Sequence, residues 1–147
     1  MMKRLRDVFM VLTLALVAMT LGGCTHNNGD IGPWFGAWRV ESITVDGEPR
    51  ADYAPPYLIW KFQGNVTLIQ VPDDEVHVSR DMYGTWQQDG DRLTVTFGYH
   101  NIWYDPAVTL FPAHTTFEIL KLGGSGIVLS YVNDRGQRLT YTLKKWG

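Results

Sequence analysis

The groups in this 147-residue chain that could do chemistry are one thiol, a few scattered imidazoles, a run of three acids and a glycine-rich loop. Metal ligation needs clustered imidazole, thiolate or carboxylate groups. His77, His100 and His114 stand on three different segments, so neither a metal nor a cofactor is expected. Asp73-Asp74-Glu75 lacks the oxygen spacing and central glycine of a calcium loop and reads as a solvated hairpin tip. Ser42, Ser79, Ser125 and Ser130 lie in no Gly-x-Ser-x-Gly elbow. No carboxylate pair is set to flank a bond. Gly123-Gly124-Ser125-Gly126 joins two strand-like runs rather than opening a helix, which makes it a hairpin loop and not a phosphate cradle. Enzymatic chemistry is not expected. Cys24 is left: with a single cysteine no disulfide can close within the chain, and the thiol needs another use.

That use follows from what precedes it. Met1 to Asp7 carry Lys3, Arg4 and Arg6, and Val8 to Leu21 form an apolar run, the two parts of an export signal. The run falls short of the ~20 residues that a permanent spanning helix needs. It ends in Leu21-Gly22-Gly23-Cys24, which resembles the lipobox of bacterial lipoproteins. The resemblance implies diacylglyceryl transfer to the Cys24 thiol, cleavage of the Gly23–Cys24 bond and acylation of the new amino terminus. Several acyl chains, at about 0.8 kcal/mol per buried methylene, hold a protein to a membrane stably. Thr25 stands where an aspartate would retain an enteric lipoprotein in the inner membrane, so the outer membrane is favoured, with the periplasmic or surface face open. The expected organisation is a signal peptide at 1–23, a lipidated tether at 24–34 and a folded domain at 35–147.

About 124 mature residues make one domain, and 45% apolar with 13% aromatic residues can fill its core. Of 13 basic and 15 acidic side chains the signal removes three and one, which leaves a net charge of −4. With no Lys/Arg run, nucleic acid is not an expected partner.

After Pro33 helical periodicity gives way to β-branched and aromatic alternation between regular turn signals. Strands are predicted over Gly36–Val45, Tyr57–Phe62, Val66–Val71, Tyr83–Gln88, Arg92–Phe97, Thr115–Leu122, Ile127–Asn133 and Leu139–Lys145. Asp46-Gly47, Gly64-Asn65 and Asp89-Gly90-Asp91 supply the positive φ that tight hairpins need. Leu58, Trp60 and Phe62 point one way, as do Leu93, Val95, Phe97 and Leu139, Tyr141, Leu143; the intervening Ile59, Lys61, Thr94, Thr96, Thr140 and Thr142 suit an outer face. The predicted fold is all-β, an eight-stranded antiparallel up-and-down barrel, whose closure removes exposed edges. Residues 98–114 are irregular and could form a short strand, a helical turn or a lid.

Gly36-Ala37-Trp38-Arg39-Val40, the hairpin Gly84-Thr85-Trp86-Gln87-Gln88-Asp89-Gly90-Asp91 and the late pair Phe117–Leu122 and Ile127–Tyr131 together resemble the lipocalin-like lipoproteins common in Bacteroidetes. The resemblance covers Gly36 to Lys145 and implies a calycin-like barrel, not a chemistry. It gives Gly36 and Trp38 the role of closing the barrel floor, with a basic residue of the last strand, Arg138 or Lys144, covering the indole. A second lipocalin motif of the Thr-Asp-Tyr kind is missing.

Six tryptophans and seven tyrosines remain to be used. Aromatic rings with a polar tip suit an apolar ligand or a sugar. Trp60, Phe62, Tyr99, Trp103 and Tyr104 are therefore expected to line one mouth and to take a small hydrophobic or glycan-derived molecule; the plainer use of Trp38, Trp60 and Trp86 is to fill a small barrel. The rival expectation is a solid barrel that acts through its outer surface on another protein of the envelope.

Overall fold

The computed structural model describes residues 2–8, 10, 32–72, 79–98 and 103–147. Residues 2–8 are helical, and among the described residues no helix is long and apolar enough to cross a membrane. Cys24 and residues 25–31 of the expected tether lie outside the described residues, while Gly32–Trp34 form a 3-10 turn.

From Pro33 onward the described residues form nine antiparallel strands: β1 Gly36–Val45, β2 Glu48–Pro49, β3 Ile59–Gln63, β4 Val66–Val71, β5 Arg80–Asp89, β6 Arg92–Phe97, β7 His114–Leu122, β8 Gly126–Val132 and β9 Arg138–Lys145. Apart from β2, neighbours in sequence are neighbours in the sheet, and β1 pairs with β9 to close an eight-stranded barrel. The ninth strand is the two-residue β2, folded back on the end of β1 across Asp46-Gly47. A proline in so short a run leaves no alternation to read. At the start of β3, Tyr57 and Leu58 stay outside the ladder.

The two faces separate as the pleat requires. Leu93, Val95, Phe97, Leu139, Tyr141 and Leu143 are buried, while Thr94, Thr96, Thr140 and Thr142 are half-buried. Ile59 departs from this pattern and is buried. Aromatic side chains fill the barrel axis. Trp60 packs against Phe62, Phe111 and Phe117 with ring centroids 5.5, 5.5 and 5.9 Å away. Its buried indole N–H donates to Thr67 Oγ1 at 2.7 Å, and that hydroxyl donates to the Lys61 carbonyl at 2.9 Å. The buried polar groups of Trp60 and Thr67 thus have partners.

At one end, which we call the base, a 3-10 turn over Gly32–Trp34 precedes β1. Trp38 Nε1 donates to the Trp34 carbonyl at 2.9 Å, and Trp34 Nε1 donates to Gln88 Oε1 at 2.8 Å. The basic residue over Trp38 is Lys145, 4.6 Å from the ring centroid, and not Arg138 or Lys144. Alternation explains the correction. Arg138 and Lys144 sit at outward positions of β9 and reach Ser130 Oγ (3.0 Å) and Glu41 (3.2 Å), whereas Lys145 follows Leu143 on the inward side. The Lys145 ammonium also donates to the Phe35 carbonyl. It occupies the space a Cβ would take at Gly36, whose φ of +115° already favours glycine. Gly84 is required for another reason: a Cβ there would run into the Thr96 carbonyl and the Phe97 ring.

Candidate functional site

The opposite end, the mouth, is closed by the connection between β6 and β7. Asp105 caps a helical turn over Pro106–Thr109, accepting from the Ala107 N–H at 3.0 Å, with Pro106 in the first position where its missing N–H costs nothing. Leu110 ends the turn in the left-handed region at φ 64°. The reversal sends Phe111 into the barrel, where it stacks on Trp60 and meets Phe117 and Tyr141 edge-on at 5.0 and 5.8 Å.

Three phenols hold this plug by three consecutive carbonyls. Tyr141 donates to Thr109 C=O at 2.7 Å, Tyr131 donates to Leu110 C=O, and Tyr104 donates to Phe111 C=O at 2.5 Å. Tyr104 also bonds Thr109 Oγ1 at 2.7 Å. Burial disfavours the phenolate and raises the pKa of Tyr141, Tyr104 and Tyr131. All three are neutral donors near pH 7, built for holding carbonyls rather than for taking protons.

Beside the plug the sheet forks. β7 and β8 remain paired from Leu122↔Ile127 to Glu118↔Ser130, yet β7 begins at His114 and β8 runs to Val132. The start of β7 stays with β6, and the end of β8 stays with β9. Ile119 N–H donates toward β6, to Asp91 C=O, and Asn133 N–H donates toward β9, to Gln137 C=O. By the alternation of an antiparallel ladder, Thr116 and Val132 therefore turn their backbone polar groups into the fork.

A second fork, between β1 and β3 beyond Arg39↔Ile59, is filled. There Tyr53 donates to Val40 C=O at 2.5 Å and accepts from Leu58 N–H at 3.2 Å, and burial pushes its pKa up to about 12. The β7–β8 fork instead forms part of a groove of about 1070 Å³. Leu110, Phe111 and Pro112 of the plug, Tyr131, Leu139 and Val45 give it apolar walls, and Thr116, Asn133, Arg135 and Gln137 add polar groups.

Of the residues expected to line a mouth, Trp60 and Phe62 do not. They are 0% and 1% exposed and belong to the core: the plug's Phe111 covers Trp60, and Phe62, opposite Gly36 at the base, packs against Trp34 and Trp86 at 5.0 and 5.3 Å. Tyr104 does reach the groove, its ring stacked on Phe97 at 5.1 Å. Trp103 is exposed under the Arg80 guanidinium, 5.2 Å from its ring centroid, and is not part of the groove. Tyr99, His77, His100 and Asp73-Asp74-Glu75 lie outside the described residues. His114 Nδ1 is bonded to Thr96 Oγ1 at 2.9 Å, and among the described residues no three His, Cys, Asp or Glu side chains are grouped to hold a metal. Leu110, Tyr131 and Leu139 were not expected here. The inward parity of Tyr131 and Leu139 was a signal, but the αL turn that brings Leu110 to them was not.

The sequence profile of the lipocalin-like domain matches residues 17–146. Two solved structures share the fold. A lipocalin-like protein from Bacteroides uniformis is 17% identical, with a TM-score of 0.62 over 78% of this chain and 100% of that one. An uncharacterized protein from Bacteroides eggerthii is 15% identical, with a TM-score of 0.59 over 77% and 99%. No functionally curated protein matches the chain.

Proposed function

Because this chain belongs to the lipocalin-like domain family, we propose that it is a non-enzymatic binding protein, held at the cell envelope by lipid on Cys24, that takes a small hydrophobic or glycan-derived molecule at the barrel mouth. The groove between the plug and the β7–β8 fork carries this reading. Its volume lies just above the range of small-molecule sites, about 300–1,000 Å³, and apolar walls with a few polar groups are what such sites use. An apolar body would lie on Leu110, Pro112 and Leu139. A polar head would meet Arg135, Asn133 and the free backbone groups of Thr116 and Val132. The site is thus displaced from the axis, which Trp60 and Phe62 already fill.

Titration calorimetry with fatty acids, haem and oligosaccharides tests this. The expected outcome is saturable heat with one class, abolished by Ala107→Trp, which places an indole in the groove from an exposed position. No heat from any class, or heat that Ala107→Trp leaves unchanged, overturns it.

The filled axis favours one other reading, a solid barrel that acts on an envelope protein through its outer face, where Tyr83, Leu120 and Val132 are exposed. Under that reading the groove takes no small molecule, and charged substitutions at Leu120 and Val132 abolish co-purification of the partner.

A further inference from the structure

We propose that the base of the barrel rests on the phospholipid bilayer, with Phe35 and Trp146 at the level of the headgroups, so that the groove opens away from the membrane. This rests on the reading of Cys24 as the lipid anchor. Phe35 and Trp146 are 41% and 52% exposed, whereas of the other tryptophans of the base Trp34 and Trp38 are buried and Trp86 is half-buried. The two exposed residues stand on adjoining segments, not scattered. Trp146 N–H donates to Ala37 C=O at 3.0 Å, and the Lys145 ammonium reaches the carbonyl of Phe35 itself.

Cations flank them on the same side of the barrel. Lys145 N–H donates to Ser125 C=O at 3.3 Å, Lys144 pairs with Gly126, and the Lys121 ammonium stands against Gly126. Lys144 is bridged to Glu41, while Lys121 has no acidic partner among the described residues. The acids of this end, Asp89 and Asp91, lie on the β5–β6 turn, across the barrel from β9. An indole has an apolar body and one donor, and it partitions to the membrane–water boundary, where lysine meets anionic headgroups.

The tether selects the bilayer as the occupant. From Cys24 the chain enters the barrel at the base through Gly32, and at roughly 3.5 Å per residue those few links span no more than about 30 Å. An anchor that short keeps the base within reach of the lipid and leaves the mouth a full strand length further out. Phe35 and Trp146 are therefore placed where a bilayer, rather than a soluble partner, is always close.

The full lipidated chain, reconstituted in vesicles of phosphatidylcholine and phosphatidylglycerol with acyl chains brominated near the headgroup, provides the test. Tryptophan emission is expected to be partly quenched relative to unbrominated vesicles. That quenching is lost in Trp146→Ser and kept in Trp103→Ser, and circular dichroism is unchanged in both. A lipidated chain that shows no quenching, or whose quenching survives Trp146→Ser, overturns the docking and leaves the anchor standing. A chain that carries no lipid on Cys24 by mass spectrometry overturns the anchor, and the docking with it.

Discussion

The two ends of this barrel are closed by different chemistry. At the base an indole N–H bonds a carbonyl four residues away, and a lysine from the far end of the chain lies over the same ring, so closure combines one local bond with a long-range contact. At the mouth three phenols from distant positions hold three consecutive carbonyls, and the turn they hold sends Phe111 into the core. The base joins the start of β1 to the end of β9, whereas the mouth ties one short turn to β8 and β9. The groove lies at the mouth, beside the fork where β7 and β8 stop pairing.

Alkali acts directly on the phenols of the mouth, and there it should produce the largest effect. Indole N–H groups do not titrate in this range, whereas the phenols do. Burial raises the folded-state pKa of Tyr53 from 10 to about 12 and that of Tyr104 and Tyr141 further, so the fold favours their protonated forms. The stability this represents is fully present below pH 10 and is lost as pH rises through the folded-state values. The melting temperature should hold up to pH 10 and then fall steeply, with tyrosinate absorbance at 295 nm rising as near-ultraviolet dichroism disappears. Ionisation of every tyrosine with an unchanged melting temperature would show that the phenols do not hold the mouth.

At the base the sharpest substitution is Trp38→Ala. The ring is 0% exposed, and removing so large a core side chain costs about 3–5 kcal/mol. β1 also carries the pairings to β2, β3 and β9, so the loss should be global. Urea denaturation should show one cooperative transition at a lower midpoint with an unchanged slope. A second, earlier transition would mean that the base unfolds as a separate unit.

The contrast between the ends is also a contrast in what the sequence discloses. β1, β4 and β6 match the predicted bounds because alternation ran unbroken between Asp46-Gly47, Gly64-Asn65 and Asp89-Gly90-Asp91. The Gly-x-Trp start was readable for the same local reason. The basic residue over Trp38 was expected at Arg138 or Lys144, both on the outward parity of β9, an error that strict inward and outward bookkeeping along the strand would have removed. Nothing comparable was available at the mouth. Asp105-Pro106 announces a helix start, but which carbonyls the tyrosines choose depends on the curvature of a closed sheet. The groove arises from where β7 and β8 stop pairing, and pairing registers that end early leave no mark on the residues that go unpaired. Trp60 was read as a mouth residue because its stacking under Phe111 is a property of the fold alone, whereas Phe62 stands opposite Gly36 at the base.

The smallest effect separates the ends most cleanly. Tyr131→Phe removes one hydroxyl from a half-buried ring, which leaves the Leu110 carbonyl without its donor beside an open groove where water can replace it. The net cost should be that of a single neutral bond, about 0.5–1.5 kcal/mol. If the mouth opens locally, hydrogen exchange should quicken at the amides of Leu110 and Phe111, which belong to the plug, while Val40, bonded to the Leu58 carbonyl at 2.9 Å near the β1–β3 fork, keeps its rate. Equal acceleration at Leu110 and Val40 would mean that the plug opens only when the barrel unfolds. The two closures would then be one cooperative structure, and the mouth no more adaptable than the base.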